Sequence, residues 1–202
     1  MTRSDFATTL RAAVVEAMRR FREYSPAESP YALAVILGQC GNYLGHAIAS
    51  EEGLRRVAAS YAAKGYRYQC EEWEQIDQLE RLATWLRWSN PDDGWRYGDF
   101  PDSSGVVAAL AELVGTGEFG EDANHLEEFA TIVLADLHSD PDWQCLTRGH
   151  RVYVGVTHGS DPRYFLRTAS RANTHDVARD LWGEYWQGDE LRNRILSPYR
   201  KR

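Results

Sequence analysis

Acidic residues and histidines are concentrated between residues 121 and 142, a composition that could bind a metal ion. His125 and Glu128 are three residues apart and share one face of a predicted helix. Further ligand types follow at Asp136, His138, Asp140 and Asp142. A di-metal site in a helical bundle needs two Glu-x-x-His motifs on separate helices. Here the order is His-x-x-Glu and it occurs once, so the pattern favours a solvated helix face and predicts no metal.

Nucleophilic catalysis has a candidate segment in His158, Ser160 and Asp161, which bring together the residue types of a catalytic triad. Triad members meet in space and are rarely sequence neighbours, so a turn after a strand explains this segment better. The chain has no Gly-x-Ser-x-Gly elbow. The glycines of residues 115–120 follow a predicted helix, whereas a dinucleotide fingerprint follows a strand. The sequence therefore predicts no catalytic residue and no cofactor.

An aromatic cluster is the most distinctive local feature of the chain. Its members fall within sixteen residues: Trp85, Trp88, Trp95, Tyr97 and Phe100. One interpretation is core packing, with the indole N–H groups hydrogen-bonded nearby. The other is a recognition surface, since tryptophan, tyrosine and arginine are common interface anchors. On the second interpretation, the candidate binding residues are Arg87, Trp88, Asp92, Asp93 and Trp95.

The charge of −7 is unevenly distributed along the 202 residues. Residues 71–146 carry eighteen acidic and three basic side chains, whereas residues 147–202 carry six acidic and eleven basic ones. Such an acidic segment attracts basic partners and repels nucleic acid phosphates. The sequence therefore predicts a basic protein partner and no nucleic acid partner, with the oligomeric state left open.

Length and composition limit the class of protein. A chain of 202 residues fits a single domain, and residues 188–202 are expected to form a loosely ordered C-terminal tail. No apolar run reaches the roughly 20 residues of a membrane span, and the N-terminus lacks the pattern of a signal peptide. The three cysteines (Cys40, Cys70 and Cys145) form no Cys-x-x-Cys pair. These features predict reduced thiols and a cytoplasmic protein that does not bind membranes.

The periodicity of apolar residues predicts the first elements clearly. Residues 4–24 are apolar at three- and four-residue steps, which predicts an amphipathic helix. Two apolar runs, residues 31–38 and 43–49, flank a Gly-Asn break and predict an antiparallel hairpin. The first run is apolar on both faces, so we expect a central strand covered by helices. Ser50 is placed to cap the helix that follows.

Strands and helices do not alternate in the rest of the chain. Further helices are predicted within residues 69–86, 103–114, 121–137 and 174–187, and a strand over residues 151–158. Short strands are also candidates at residues 66–70 and 164–168. This order argues against a doubly wound sheet. It predicts an α+β fold with a small, mainly antiparallel sheet flanked by helices.

Several of these segments resemble a known family when taken in order. They are the N-terminal helix, the run YALAVILG (residues 31–38), AIASEEGLRRVAASY (residues 47–61) and the LRWS…W run beginning at Leu86. Together they resemble the bacterial domain-of-unknown-function family 4303, from about residue 4 to 187. The family supplies no catalytic residues to carry over. By analogy with small acidic bacterial proteins of this kind, an immunity-like role against a secreted toxin is one expectation.

Two function classes follow from the sequence. The preferred one is a non-catalytic cytoplasmic protein-binding domain that uses acidic and aromatic surface against a basic partner. The alternative is a hydrolase-like or metal-dependent enzyme with its site among the acids of residues 71–146 and His125, His138 or His158. A deep pocket with converging histidines and carboxylates would favour the enzyme.

Overall fold

The computed structural model describes residues 1–38, 43–70, 76–89, 94–117, 119, 123–147, 149–158 and 162–198. Within these residues the chain forms eight α-helices and six β-strands. The helices are α1 (Arg3–Tyr24), α2 (Glu51–Ala63), α3 (Gln78–Leu86), α4 (Val106–Gly115), α5 (Ala123–Ala135), α6 (Pro141–Thr147), α7 (Pro162–Ala172) and α8 (His175–Arg192). The strands are β1 (Pro30–Leu37), β2 (Leu44–Ser50), β3 (Arg67–Tyr68), β4 (Arg96–Asp99), β5 (Tyr153–Thr157) and β6 (Ile195–Leu196).

Four of the strands form one sheet in the order β4-β2-β1-β5, and β3 pairs with β6 in a second, two-stranded sheet. The predicted hairpin is present, with β1 antiparallel to β2 and Leu37 opposite Leu44. β4 runs antiparallel to β2, whereas β5 runs parallel to β1 with Leu33 opposite Val154. The fold is therefore α+β, with a small, mainly antiparallel sheet flanked by helices, as the sequence predicts.

β1 is buried on both faces, and its side chains alternate between two apolar clusters. Leu33, Val35 and Leu37 pack with residues of α1, α4 and α5. Ala32 and Ala34 pack on the other face, with residues of α2, α3, α7 and α8. Successive side chains of a strand point to opposite faces of the sheet, so the residues of an unbroken apolar run pack against helices on both faces. The central-strand prediction is confirmed.

Side chains cap the N-termini of two helices, and the sequence predicts the cap at Ser50. Thr2 caps α1 in a reciprocal capping box with Asp5. Ser50 caps α2 by accepting a hydrogen bond from the Gly53 amide at 3.0 Å. None of the described helices is both long enough and apolar enough to cross a lipid bilayer.

One local prediction differs from the structure, and two short elements lie where the sequence predicts none. Residues 164–168 are not a strand but part of α7, where the buried positions recur at helical spacing: Phe165, Leu166, Ala169 and Ala172. β4 is one of these elements, and its side chains are mostly exposed and so lack an apolar signal. The other is α6, which begins at Pro141 and is capped by Asp140, whose carboxylate accepts hydrogen bonds from two backbone amides.

The predicted tail begins inside ordered structure. α8 continues through Arg192, and Gly188, Leu191 and Ile195 are buried. Ile195 pairs with Tyr68 in the two-stranded sheet. Because buried apolar contacts hold these residues, the part of the predicted tail from residue 188 to 196 is fixed to the rest of the fold.

Candidate functional site

The aromatic cluster divides between the core and the surface. Trp88 and Trp95 are only 5% and 9% exposed, and both rings contact Phe165 of α7. Their rings therefore pack in the core. Tyr97, by contrast, is half exposed. Asp92 and Asp93 lie outside the described residues.

Arg87, the other predicted binding residue, lines a cleft of about 350 Å³. The cleft lies where the beginnings of β1, α2 and β5 meet the end of α3 and the middle of α8. Its lining residues are Ser29, Pro30, Tyr31, Glu51, Arg87, His150, Arg151, Tyr153 and Glu184. This volume is within the usual range for sites that bind small molecules or single side chains.

The Arg87 guanidinium joins three walls of the cleft. Its Nη2 donates to both carboxylate oxygens of Glu51 at 2.7 Å. Its Nη1 lies 3.9 Å from Oε2 of Glu184, and its plane covers the ring of Tyr31 at 4.5 Å. Burial alone would lower the pKa of Arg87, but the Glu51 carboxylate outweighs it and raises that pKa. Arg87 is thus a fixed cation held between two carboxylates.

Glu184 receives its hydrogen bonds from two buried aromatic residues. The Tyr153 hydroxyl donates to Oε1 at 2.9 Å, and the Trp88 indole N–H donates to Oε2 at 3.3 Å. Burial, and secondarily the Glu184 carboxylate, raises the pKa of Tyr153, so its hydroxyl stays a donor. Burial likewise raises the pKa of Tyr31. Trp88 therefore supports the cleft from below through its N–H group.

The charges of the cleft leave a small negative excess. Glu51 and Glu184 carry two negative charges against the single positive charge of Arg87. At the rim, Arg151 forms an ion pair with Asp180, which cancels its charge locally. A carboxylate has about four lone-pair directions, and each Glu51 and Glu184 oxygen accepts one hydrogen bond within the described residues. The cleft can therefore accept further hydrogen bonds from an added cation.

The acids and histidines considered for a metal site do not converge, and each contacts a different residue. Asp136 and Asp142 pair with Arg11 and Arg19 of α1, and Glu128 pairs with Arg171. His125 contacts the Phe119 carbonyl at 3.3 Å. Within the described residues, no group of three or more His, Cys, Asp or Glu side chains could hold a metal ion.

His158 lies close to one acid of the middle segment. Its Nε2 is 3.5 Å from Oε2 of Glu127, a side chain only 7% exposed. Its Nδ1 is 2.8 Å from the carbonyl oxygen of Leu37. Since a carbonyl can only accept, Nδ1 carries the proton of this contact. The Glu127 Oε2 atom is buried without a hydrogen-bond partner in the described part of the chain.

The sequence singled out only one of the charged residues that form the cleft floor. Glu51 lies in the first turn of α2, and Tyr31, Tyr153 and Glu184 lie in elements that the sequence predicts from their apolar residues. Arg87 was found because it adjoins the aromatic cluster. One weak signal in the sequence could have identified Glu184. It lies three residues after the buried Leu181, a spacing that places a charged residue on the inward side of α8.

Comparison with protein families identifies the class of this chain. The sequence model of the domain of unknown function DUF4303 matches residues 10–144, about two thirds of the chain. The chain belongs to this family, in agreement with the resemblance noted from the sequence. Searches of curated proteins and of solved structures give no significant match.

Proposed function

We propose that this protein is a cytoplasmic protein-binding domain whose cleft receives a cationic side chain of a basic partner. One observation carries the proposal: Glu51 and Glu184 converge on a single internal cation, Arg87, and keep unused acceptor capacity. An arriving guanidinium or ammonium group would donate to these carboxylates in a half-enclosed site, where charge-assisted hydrogen bonds are strong. Such binding needs no catalytic group.

The wider charge distribution supports a basic partner. Arginines of the flanking segments pair with four acids of the middle segment: Glu127, Glu128, Asp136 and Asp142. Glu80 and Asp102 have no basic partner within the described residues and remain exposed. The protein thus keeps negative surface that would speed encounter with a cationic protein. The biological role that we propose for this binding is immunity-like, with a basic toxin as the partner.

Titration with a short peptide tests the cleft directly. The probe is acetyl-Ala-Arg-Ala-amide, and its binding is measured by calorimetry. Glu184→Gln keeps the shape and removes the charge, so affinity should fall at least about fivefold. Glu190→Gln is the matched control, because it makes the same change at an exposed position of the same helix. Equal affinity of the two variants for the peptide would show that the peptide does not bind in the cleft.

The cytoplasmic location has its own test. Cys70 and Cys145 are both free and exposed. A protein of a reducing compartment should keep all three of its thiols. Thiol titration of the denatured, non-reduced protein taken directly from cells should count three. A count of one would indicate an oxidised pair and contradict a cytoplasmic location.

A hydrolase-like activity is the second candidate, favoured by the contact of His158 with Glu127. The pair lies beside the carboxyl ends of the parallel strands β1 and β5, a common position for ligand sites. In this proposal, Nε2 of His158 takes a proton from water while the water oxygen bonds to the carbonyl carbon or the phosphorus of an ester. The ester bond to the leaving oxygen then breaks, the imidazolium returns the proton to that oxygen, and Glu127 stabilises the imidazolium between the two steps.

General base catalysis of this kind contributes about 10²–10⁴-fold in rate. Hydrolysis of a panel of nitrophenyl carboxylic and phosphoric esters should therefore fall by that factor in His158→Gln and in Glu127→Gln. Glu128→Gln is the control, since Glu128 adjoins Glu127 in the sequence but is exposed and pairs with Arg171 instead of His158. If the three variants hydrolyse the panel at the rate of the unchanged protein, this candidate is excluded for those substrates.

A further inference from the structure

A second cavity lies next to the cleft. It has a volume of about 250 Å³ and shares His150 and Arg151 with the cleft, so the two cavities flank one dipeptide. The other lining residues are His138, Trp143, Gln144, Thr147, Gly149, Val152 and Val177. A chain that binds in the cleft can therefore continue into this second cavity.

The floor of the second cavity is apolar. Trp143 and Val152 are 2% and 3% exposed, and Val177 of α8 is half-buried. Such a lining favours a side chain with a large apolar body over a charged one. An aromatic ring fits this requirement, because it buries much surface with few rotatable bonds.

The polar group of the cavity is His138, and hydrogen bonds fix its tautomer. The Asn173 side-chain NH₂ donates to the carbonyl oxygens of Val154 at 2.8 Å and Ala169 at 2.6 Å. The amide orientation is therefore set, and its Oδ1 must act as an acceptor. This Oδ1 lies 2.9 Å from Nε2 of His138, so Nε2 carries the proton. Nδ1 is then an acceptor, with no donor to it among the described residues.

We propose that the partner binds as an extended segment that places a tyrosine in this second cavity and an arginine in the cleft. This inference rests on the proposed function of the cleft. The tyrosine ring packs on Trp143 and Val177, and its hydroxyl donates to Nδ1 of His138. In an extended chain, residues i and i+2 point to the same side about 7 Å apart. Two such side chains can enter two cavities that share His150 and Arg151 in their walls. The recognised sequence is therefore an arginine and a tyrosine separated by one residue.

A set of four peptides tests the inference with the unchanged protein. Each has nine residues with glycine and serine flanks, and the central three are Arg-Ala-Tyr, Arg-Ala-Phe, Arg-Ala-Ala or Ala-Ala-Tyr. A neutral hydrogen bond contributes about 0.5–1.5 kcal/mol, so the tyrosine peptide should bind about 3–10 times more tightly than the phenylalanine peptide. The phenylalanine peptide should in turn bind more tightly than Arg-Ala-Ala. The same set in reverse order covers the opposite chain direction.

Two variants separate the second cavity from the cleft. His138→Leu removes the acceptor and should lower the affinity for the tyrosine peptide to that for the phenylalanine peptide. Val177→Trp fills the cavity and should abolish the gain from either ring, while binding of Arg-Ala-Ala stays unchanged. Melting temperatures near that of the unchanged protein establish that both variants fold.

The outcomes distinguish this inference from the function on which it rests. If all three arginine peptides bind equally and Glu184→Gln weakens them, the cleft proposal stands and the tyrosine site is wrong. If none of the arginine peptides binds in either chain direction, the proposed function fails and the tyrosine site fails with it.

Discussion

Thr168 of α7 hydrogen-bonds to both backbone groups of Val156 in the edge strand β5. Its hydroxyl accepts from the Val156 amide at 2.9 Å and lies 2.7 Å from the Val156 carbonyl oxygen. Asn173 does the same for Val154, two residues earlier in the strand. An open strand edge is a template for pairing with other chains. Here Thr168 of α7 and Asn173, the residue after α7, occupy this part of the edge, so the backbone groups of Val154 and Val156 are not open to another chain.

Replacing Thr168 by valine should destabilise the protein. The two residues have nearly the same shape, but valine leaves the buried N–H and C=O groups of Val156 without partners. Each unsatisfied group costs about 1–3 kcal/mol, so for the two groups we expect a loss of about 2–6 kcal/mol in the free energy of unfolding. Thr168→Ser keeps the hydroxyl and should cost about 1 kcal/mol or less. Urea unfolding measures both, and equal stability of the two variants would contradict the role of the hydroxyl.

His46 of β2 should make stability depend on pH. Burial lowers the pKa of His46 to about 4; the Asp99 carboxylate opposes this shift, and Arg20 adds to it. The unfolded chain binds the proton with a pKa near 6.5, so between pH 6.5 and 4 it holds more protons than the folded chain. Stability is therefore lost as pH falls through this window, by up to about 3 kcal/mol, and is unaffected above it.

The comparison with His46→Leu isolates this effect from the titration of carboxylates. Leucine also removes the buried Nδ1 atom, which has no hydrogen-bond partner in the described structure. The difference in unfolding free energy between the two proteins should change between pH 6.5 and 4 and stay constant from pH 7 to 8. A difference that is constant over the whole range would show that His46 titrates normally.

Arg87→Ala should weaken the fold and strengthen binding in the cleft. Removing a partner from a buried ion pair costs about 3–5 kcal/mol. Glu51 and Glu184 are each about one third exposed, so water can replace part of the lost contact. We expect a loss of about 1–3 kcal/mol, measured by thermal unfolding. Arg179→Ala removes exposed pairs of α8 and should cost less than about 0.5 kcal/mol.

The same variant tests whether Arg87 competes for the carboxylates that the partner uses. Without its guanidinium, the floor of the cleft carries two negative charges and no positive one. Acetyl-Ala-Arg-Ala-amide should then bind more tightly than it does to the unchanged protein. Weaker binding would mean that the cleft needs Arg87 in place to receive the peptide, and it would contradict competition between the two guanidinium groups.

Elements with a local signal could be predicted from the sequence, and the cleft could not. α1 and the β1–β2 hairpin follow from apolar periodicity and from a turn within one segment. β4 has exposed side chains and exists because β2 offers it hydrogen bonds, a tertiary cause that no local pattern carries. The cleft brings together Tyr31, Glu51, Arg87 and Glu184, of which successive members are 20 to 97 residues apart in the sequence. Their contacts depend on the packing of α2, α3 and α8 around one end of the sheet.

The last prediction concerns the class of macromolecule that binds and its dependence on salt. Residues 71–146 carry eighteen acids and three arginines, and arginines elsewhere in the chain pair with only part of that excess. Association with a basic test protein should therefore weaken as salt rises from 20 to about 150 mM, where the Debye length is about 8 Å.

Binding of nucleic acid would depend on the basic C-terminal segment, residues 147–202, because a local cluster of cations could bind phosphates despite the net charge of −7. Two of its arginines are already engaged: Arg192 pairs with Asp189, and Arg194 lies over the ring of Tyr68. Nucleic acid binding is driven by the release of counterions from phosphates contacted by many cations. With few cations available, a duplex oligonucleotide should show no binding at physiological salt in the assay that detects the basic protein. Submicromolar affinity for the duplex under those conditions would overturn the acidic-surface interpretation, and removal of residues 199–202 would then show whether their cations are the cause.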